Sequence, residues 1–226
     1  NRGLRLGGGW GMTETSPAGT NVPTYMDAPA GTIGLPLPTI EMGIVAIDDP
    51  HKVLGAGEIG EIRIRGPNVT GGYWKRPQET ASAFANGWFL TGDIGSMDEN
   101  GFFFIVDRKK DMLISGGFNV YPQIIEQAIY EHPGVEEVIV IGVPDSYRGE
   151  IAKAFVKLKP GAAAFALEEL TAFLFDKIGR HEMPAQLEFR DALPRTAVGK
   201  LSKVELRQEE REKAARAANM GSKANG

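Results

Sequence analysis

Asp107-Arg108-Lys109-Lys110-Asp111 places five charged residues in a row. They run directly into Met112-Leu113-Ile114-Ser115-Gly116-Gly117-Phe118-Asn119-Val120-Tyr121-Pro122. Charges are costly to bury, so such a run has no place in a core strand or a buried helix. On charge alone it is a solvated linker, and it marks a boundary between two textures of sequence. Before it, short apolar stretches at 40–47, 60–65, 88–90 and 101–106 are separated by Gly, Pro, Asp and Asn, the pattern of short strands. Asp98-Glu99-Asn100-Gly101 is a turn signal that predicts a hairpin of 94–97 with 102–106. A short helix is predicted near 78–84.

After the boundary, helix and strand patterns alternate. Pro122 opens a helix at 122–132, with Ile124, Ile125, Ala128 and Ile129 on one face. Residues 135–143 are a nearly continuous apolar, β-branched run, as a strand buried on both faces requires. A second strand is predicted at 152–158, a helix at 167–178 and a short strand at 186–190. Residues 203–216 are charged nearly throughout, with Glu209/Lys213 and Glu212/Arg216 at helical i,i+4 spacing. Only Val204 and Leu206 offer an apolar foothold, so the tail, 208–226, is expected to fray.

The 226 residues include 25 Lys+Arg and 29 Asp+Glu, a formal charge of −4, which gives no reason to expect nucleic acid as a partner. Cysteine is absent, which removes disulfides, thiolate metal sites and a cysteine nucleophile together. His51, His132 and His181 show no ligand spacing, against a zinc hydrolase. No apolar run approaches the ~18 residues of a membrane span, so a soluble chain is expected. Asn1-Arg2-Gly3-Leu4 has neither an initiator methionine nor a signal-peptide core, and Asn1 is expected not to be the natural start.

Four stretches can carry chemistry. Gly7-Gly8-Gly9-Trp10-Gly11-Met12-Thr13-Glu14-Thr15 offers backbone that can approach a ligand closely, a flat aromatic face, a hydroxyl and a carboxylate suited to Mg²⁺. It fits neither the dinucleotide fingerprint nor a P-loop, and alone it has no assignable ligand. Trp88-Phe89-Leu90-Thr91-Gly92-Asp93 ends an apolar strand on a carboxylate able to accept both hydroxyls of a ribose; Asp93 is equally a turn residue bonded to its own backbone. The basic cluster from Arg108 beside Gly116-Gly117 suits a phosphate or sugar contact. Pro194-Arg195-Thr196-Ala197-Val198-Gly199-Lys200-Leu201 is a mobile loop carrying one lysine, which alone is a surface lysine and in company could meet a reacting oxyanion.

In this order and at these separations, the four stretches resemble the adenylate-forming superfamily of acyl-CoA synthetases, peptide-synthetase adenylation domains and luciferase-like enzymes. Gly34-Leu35-Pro36, Gly60-Glu61-Ile62-Arg63-Ile64-Arg65-Gly66 and Gly71-Gly72-Tyr73-Trp74 add to the resemblance, which runs from about Gly7 to about Arg207. It implies that Gly9, Trp10 and Gly11 lie at the nucleotide, with Trp10 against adenine where the family most often has Tyr. It further implies that Thr13 contacts the α-phosphate, Glu14 binds Mg²⁺, and Asp93 and Arg108 hold the ribose. Lys110 matches the hinge, Gly116 and Gly117 the turn lining the pantetheine channel, and Lys200 the lysine required for adenylation.

The implied fold is α+β. Residues 1–107 would be the β-rich, distorted-barrel end of a large AMP-binding domain, 108–111 a hinge, and 112–207 a small mobile C-terminal domain. The family's Ser/Thr/Gly-rich loop that grips the β- and γ-phosphates has no counterpart in Asn1-Arg2-Gly3-Leu4-Arg5-Leu6. The chain is therefore expected to be the C-terminal part of a larger enzyme, inactive by itself.

Residues 107–122 are most similar to medium- and long-chain fatty acyl-CoA ligases. The implied substrates are a fatty acid, ATP and coenzyme A, with Mg²⁺, in the cytoplasm. Aryl-CoA ligases share much of this string, and a luciferase-like enzyme or a peptide-synthetase adenylation domain shares the named residues. The non-enzymatic alternative is a folded fragment whose exposed apolar surface favours a homodimer.

Overall fold

The structure is a computed structural model that describes residues 7–224, with side chains through residue 216. Residues 1–6, on which the expected absence of a phosphate-gripping loop rests, lie outside the described residues, as do 225 and 226. The chain divides into two compact units between Lys110 and Asp111.

In the first unit, β1 (Thr20–Asn21) pairs antiparallel with β2 (Leu35–Pro36). A separate sheet is built on β3 (Glu41–Val45), β4 (Gly60–Arg65) and, after α1 (Pro77–Ala83) and β5 (Phe84–Ala85), the ten-residue β6 (Trp88–Met97). β7 (Phe103–Arg108) returns along β6. The turn between them closes on Asp98, whose Oδ1 accepts the N–H groups of Asn100 and Phe102, each at 2.9 Å. This is the Asx chemistry expected of that turn. Ile44, Ile62 and Phe103 form the buried centre of the sheet.

One face of β6 is buried yet carries Thr91 and Asp93, at 4% and 3% exposure. The antiparallel register sets Asp93 directly opposite Arg108. The expected distorted barrel is not closed among the described residues. The sheet order is β3-β4-β6, with β5 and β7 sharing the far edge of β6 and nothing joining either to β3.

The second unit begins with β8 (Leu113–Ser115) and β9 (Phe118–Val120), a hairpin turning on Gly116 and Gly117 at φ +58° and +86°. Two consecutive positive φ angles are what a two-residue hairpin turn demands, and only glycine adopts them freely. α2 (Pro122–Tyr130) follows, then the long hairpin of β10 (Val135–Asp145) and β11 (Gly149–Leu158). α3 (Leu167–Leu174), β12 (Gln186–Phe189) and α4 (Val204–Ala224) complete the unit, with β12 parallel to β11.

The apolar run of β10 is explained by burial on both faces. Val138 and Val140 join α2 and α3 residues in one core, whereas Ile139, Ile141 and Val143 join Leu206 of α4 in another.

One expectation needs correction. α3 stops at Leu174 rather than 178, and the chain leaves it in tight turns, with Lys177 and Ile178 both donating to the Leu174 carbonyl. The tail that the sequence expects to fray falls largely within α4. Val204 is exposed and Leu206 is the buried apolar anchor of α4 among the described side chains; ionic anchors join it. Lys153, 7% exposed on β11, pairs with Glu188 at 2.8 Å and Glu210 of α4 at 2.9 Å, and Arg190 pairs with Glu209 at 2.7 Å. Burial raises the pKa values of Glu188 and Glu210, but their cationic partners more than offset it and hold both carboxyls below the ordinary range.

Removing only the cation should therefore be costly. Lys153→Met, which keeps the volume over Phe155 but takes the cation from Glu188 and Glu210, is expected to lower stability by about 3 kcal/mol in urea unfolding, and Lys153→Ala, which also removes the packing, by more. No loss in Lys153→Met would show that the charge contributes nothing beyond packing.

Candidate functional site

Residues 7–22 fold back on themselves. The Trp10 carbonyl accepts the N–H groups of Gly19 and Thr20 at 2.8 and 2.9 Å, and the Trp10 N–H donates to Thr20 Oγ1 at 3.0 Å. The glycines around Trp10 serve this self-packing. A Cβ on Gly11 would lie 1.5 Å from the Pro17 carbonyl oxygen, and one on Gly9 would lie 2.6 Å from that of Thr20. The close backbone approach that the glycine run permits is thus made to the chain itself.

Thr13, Glu14 and Thr15 form one 3-10 turn, pinned by buried Thr15, whose hydroxyl donates to the Met12 carbonyl and accepts the Met12 N–H. Thr13 is exposed on it. The loop after β4 buttresses the same turn. Asn68 Nδ2 donates to the Thr15 and Ala18 carbonyls, each at 2.6 Å, and the Thr70 N–H to the Glu14 carbonyl at 2.8 Å. The Tyr73 hydroxyl donates to Glu14 Oε1 at 3.0 Å. Burial, then the Glu14 carboxylate, pushes the Tyr73 hydroxyl above its ordinary pKa.

Trp10, Asp93 and Arg108 converge. Trp10 Nε1 donates to Asp93 Oδ2 at 2.9 Å across 83 positions of sequence, and Arg108 Nε lies 2.8 Å from Asp93 Oδ1. That second contact is an ion pair without hydrogen-bond alignment; Oδ1 accepts no hydrogen bond among the described residues. Burial pushes the Asp93 carboxyl above the ordinary carboxylate range, while Arg108 and the Trp10 N–H pull it down. Lys110 adds a smaller pull in the same direction. The strand ends here are tied by Glu61, 3% exposed, which takes Lys109 Nζ at 2.7 Å and the Gly92 N–H at 3.0 Å.

The sequence offered no role for Glu61, Lys109 or Tyr73 in this arrangement. Their partners lie 31 to 59 positions away, beyond any local pattern.

In the second unit, Gly116 opens onto a cavity of about 620 Å³ with Phe118, Tyr147, Arg148, Arg180 and His181. Phe118 and His181 stack with ring centroids 5.3 Å apart, and Tyr147 is fully offered to solvent at 93% exposure. The two arginines were not singled out in the sequence; the only local signal was the turn at Tyr147-Arg148-Gly149.

Lys200 is exposed, and its loop is less slack than its composition suggests. The Thr196 N–H donates to the Lys200 carbonyl at 2.7 Å, Gly199 N–H to the Thr196 carbonyl at 2.8 Å, and Arg195 Nη1 to the Gly199 carbonyl at 2.6 Å. The ammonium is thus carried on the returning limb of a hydrogen-bonded turn, opposite Thr196.

Comparison with known proteins gives these features a context. Residues 1–74 match the model of the AMP-binding enzyme family, and residues 124–200 match that of the AMP-binding enzyme C-terminal domain. The chain belongs to the AMP-binding, adenylate-forming family of enzymes. It is 46% identical over 217 residues to a long-chain-fatty-acid–CoA ligase of Bacillus subtilis, covering 93% of this chain and 37% of that protein. Among solved structures, ATP-bound MatB from Rhodopseudomonas palustris superimposes with a TM-score of 0.84 at 39% identity, covering 92% of this chain and 41% of that one. The o-succinylbenzoate CoA synthetase of Bacillus subtilis, in complex with its acyl-adenylate intermediate, gives 0.80 at 33% identity, covering 91% and 41%. The chain thus spans little more than a third of the length of the ligase it matches.

Proposed function

We propose that this chain is the C-terminal part of an ATP-dependent acyl-CoA ligase acting on a fatty acid in the cytoplasm. The observation that carries the proposal is the convergence of Trp10, Asp93 and Arg108 from three separate stretches. A buried carboxylate braced by a guanidinium, with an aromatic ring beside it, is chemistry suited to a nucleoside: hydroxyls for the carboxylate and a base for the ring.

In the first half-reaction a carboxylate oxygen of the acid attacks the α-phosphorus of ATP. An acyl O–P bond forms, the bond to pyrophosphate breaks, and acyl-adenylate results. Two anions meet in this step. Thr13 is assigned to the α-phosphate and the Lys200 ammonium to the charge that develops there. A bound Mg²⁺ would supply further charge neutralisation. Glu14 fits as its protein ligand: Mg²⁺ takes one or two carboxylates plus phosphate oxygens and water, and no cluster of three or more His, Asp or Glu stands ready among the described residues.

In the second half-reaction the coenzyme A sulfur attacks the acyl carbonyl, its proton passes to solvent and AMP leaves. Gly116 and Gly117 are assigned to the pantetheine arm. The neighbouring Arg148 and Arg180 are cations suited to its phosphates. Lys110, the last residue of the first unit, is assigned as the pivot that lets the second unit serve both steps. The fatty-acid preference rests on the likeness to the long-chain ligase; likeness to the succinylbenzoate enzyme favours an aryl acid as the second reading.

The test is an assay of pyrophosphate release and thioester formation across fatty and aromatic acids. The chain is assayed alone and then within a protein that supplies a complete nucleotide-binding domain. Activity only in the longer protein, with fatty acids preferred, is the expected result. Release by the 226-residue chain alone would refute its being an inactive part, and preference for aromatic acids would transfer the substrate class.

A further inference from the structure

Trp10 does something in this structure that an aromatic platform for a base need not do. Its Nε1–H donates to Asp93 Oδ2 at 2.9 Å, while Arg108 Nε stands 2.8 Å from Oδ1. Asp93 is 3% exposed, so the directions from which a further donor can reach it are few. The ring is also held in place. Its six-membered edge lies over Gly19, close enough that a Cβ there would come within 2.5 Å of Cζ3. A ribose hydroxyl reaching Oδ2 competes there with the indole N–H.

We propose that Trp10 sets how strongly this site selects for the ribose hydroxyls, because its indole N–H holds the Asp93 oxygen that one hydroxyl would take. The inference rests on the assignment of Asp93 to the ribose and goes beyond it. Nucleotide binding then exchanges one donor for another, so the hydroxyls contribute less net affinity than a free carboxylate would give them. A hydrogen bond gained from water and a hydrogen bond gained by displacing an existing partner differ in this way. The consequence is looser retention of AMP, the product that must leave at the end of each cycle, because the indole N–H returns to the carboxylate as the ribose departs.

The test compares AMP with 2′,3′-dideoxy-AMP, by calorimetry, on the intact ligase with Trp10 or with Trp10→Phe. Loss of ring area affects both nucleotides alike and cancels in the ratio of their Kd values. The expected result is that Trp10→Phe raises the preference for AMP over the dideoxy nucleotide by roughly 3–10-fold. A preference present in both proteins and unchanged or smaller in Trp10→Phe overturns the role of Trp10 and leaves the ribose assignment standing. Absence of any preference in both proteins overturns the ribose assignment and the inference with it. A second measurement needs neither nucleotide nor Trp10→Phe. In the free protein, Asp93→Asn should move the Trp10 indole proton resonance upfield as its charged acceptor is lost, and an unmoved resonance contradicts the proposal.

Discussion

Lys200→Ala should slow acyl-adenylate formation by roughly 10²–10³-fold while thioester formation from preformed acyl-adenylate stays near the wild-type rate. The asymmetry follows from charge. The first half-reaction adds negative charge to a centre that is already anionic, and an ammonium aimed there contributes a few kcal/mol to the transition state. The second replaces an oxygen leaving group by sulfur at a carbonyl and has no such demand. Among the described residues no side chain holds the Lys200 ammonium: it is exposed on the returning limb of its turn, and the turn is closed by backbone groups, Thr196 and Arg195. The substitution should therefore leave thermal stability unchanged. Rapid-quench measurement of the two half-reactions separately checks the expectation; equal slowing of both would remove Lys200 from the adenylation step.

Asp93→Asn should weaken AMP binding by about 10²-fold, since hydrogen bonds to a charged acceptor contribute about 1.5–3 kcal/mol each and the amide offers neither the charge nor a second acceptor oxygen. The same substitution should not destabilise the fold at neutral pH. Burial holds the Asp93 carboxyl above its ordinary value of 3.8, so the folded state favours the protonated form. Stability linked to that proton is fully present below pH 3.8 and is lost as the pH rises through the folded-state value. At pH 7 the wild type carries the cost of an ionised buried carboxylate, and the asparagine variant does not. The variant should melt no lower than wild type at pH 7, and any advantage should close as the pH is taken below 4. Loss of AMP binding together with a lower melting temperature at pH 7 would instead mark Asp93 as a structural residue.

The legible parts of the molecule are those whose cause is local. The apolar run of β10 announces a strand with cores on both faces because each residue faces one core or the other. Gly116-Gly117 announces a turn because few other dipeptides accept its angles. The anchoring of α4 is not legible, for the opposite reason. Its hold on the sheet is ionic and long-range, through Lys153–Glu210 and Arg190–Glu209, and spacing within the helix says nothing about it.

The candidate site divides in the same way. Trp10, Asp93 and Arg108 stand out as residue types in a motif. That the indole N–H reaches the carboxylate depends on how residues 7–11 pack against 17–22, and on the β6–β7 register. The bracing of Glu14 by Tyr73 likewise depends on a loop packed against a turn 59 positions away. These are properties of tertiary packing, and the sequence carries them only in combination.

The central claim is that Trp10, Asp93 and Arg108 form one cradle for AMP. A crystal structure of the protein grown with AMP tests it most directly. The expected result is a ribose with its hydroxyl oxygens about 2.7 Å from the Asp93 carboxylate, the adenine against the Trp10 ring, and the indole N–H released from Oδ2. AMP seated elsewhere, or bound with its ribose turned away from an unchanged Trp10–Asp93 pair, would contradict it.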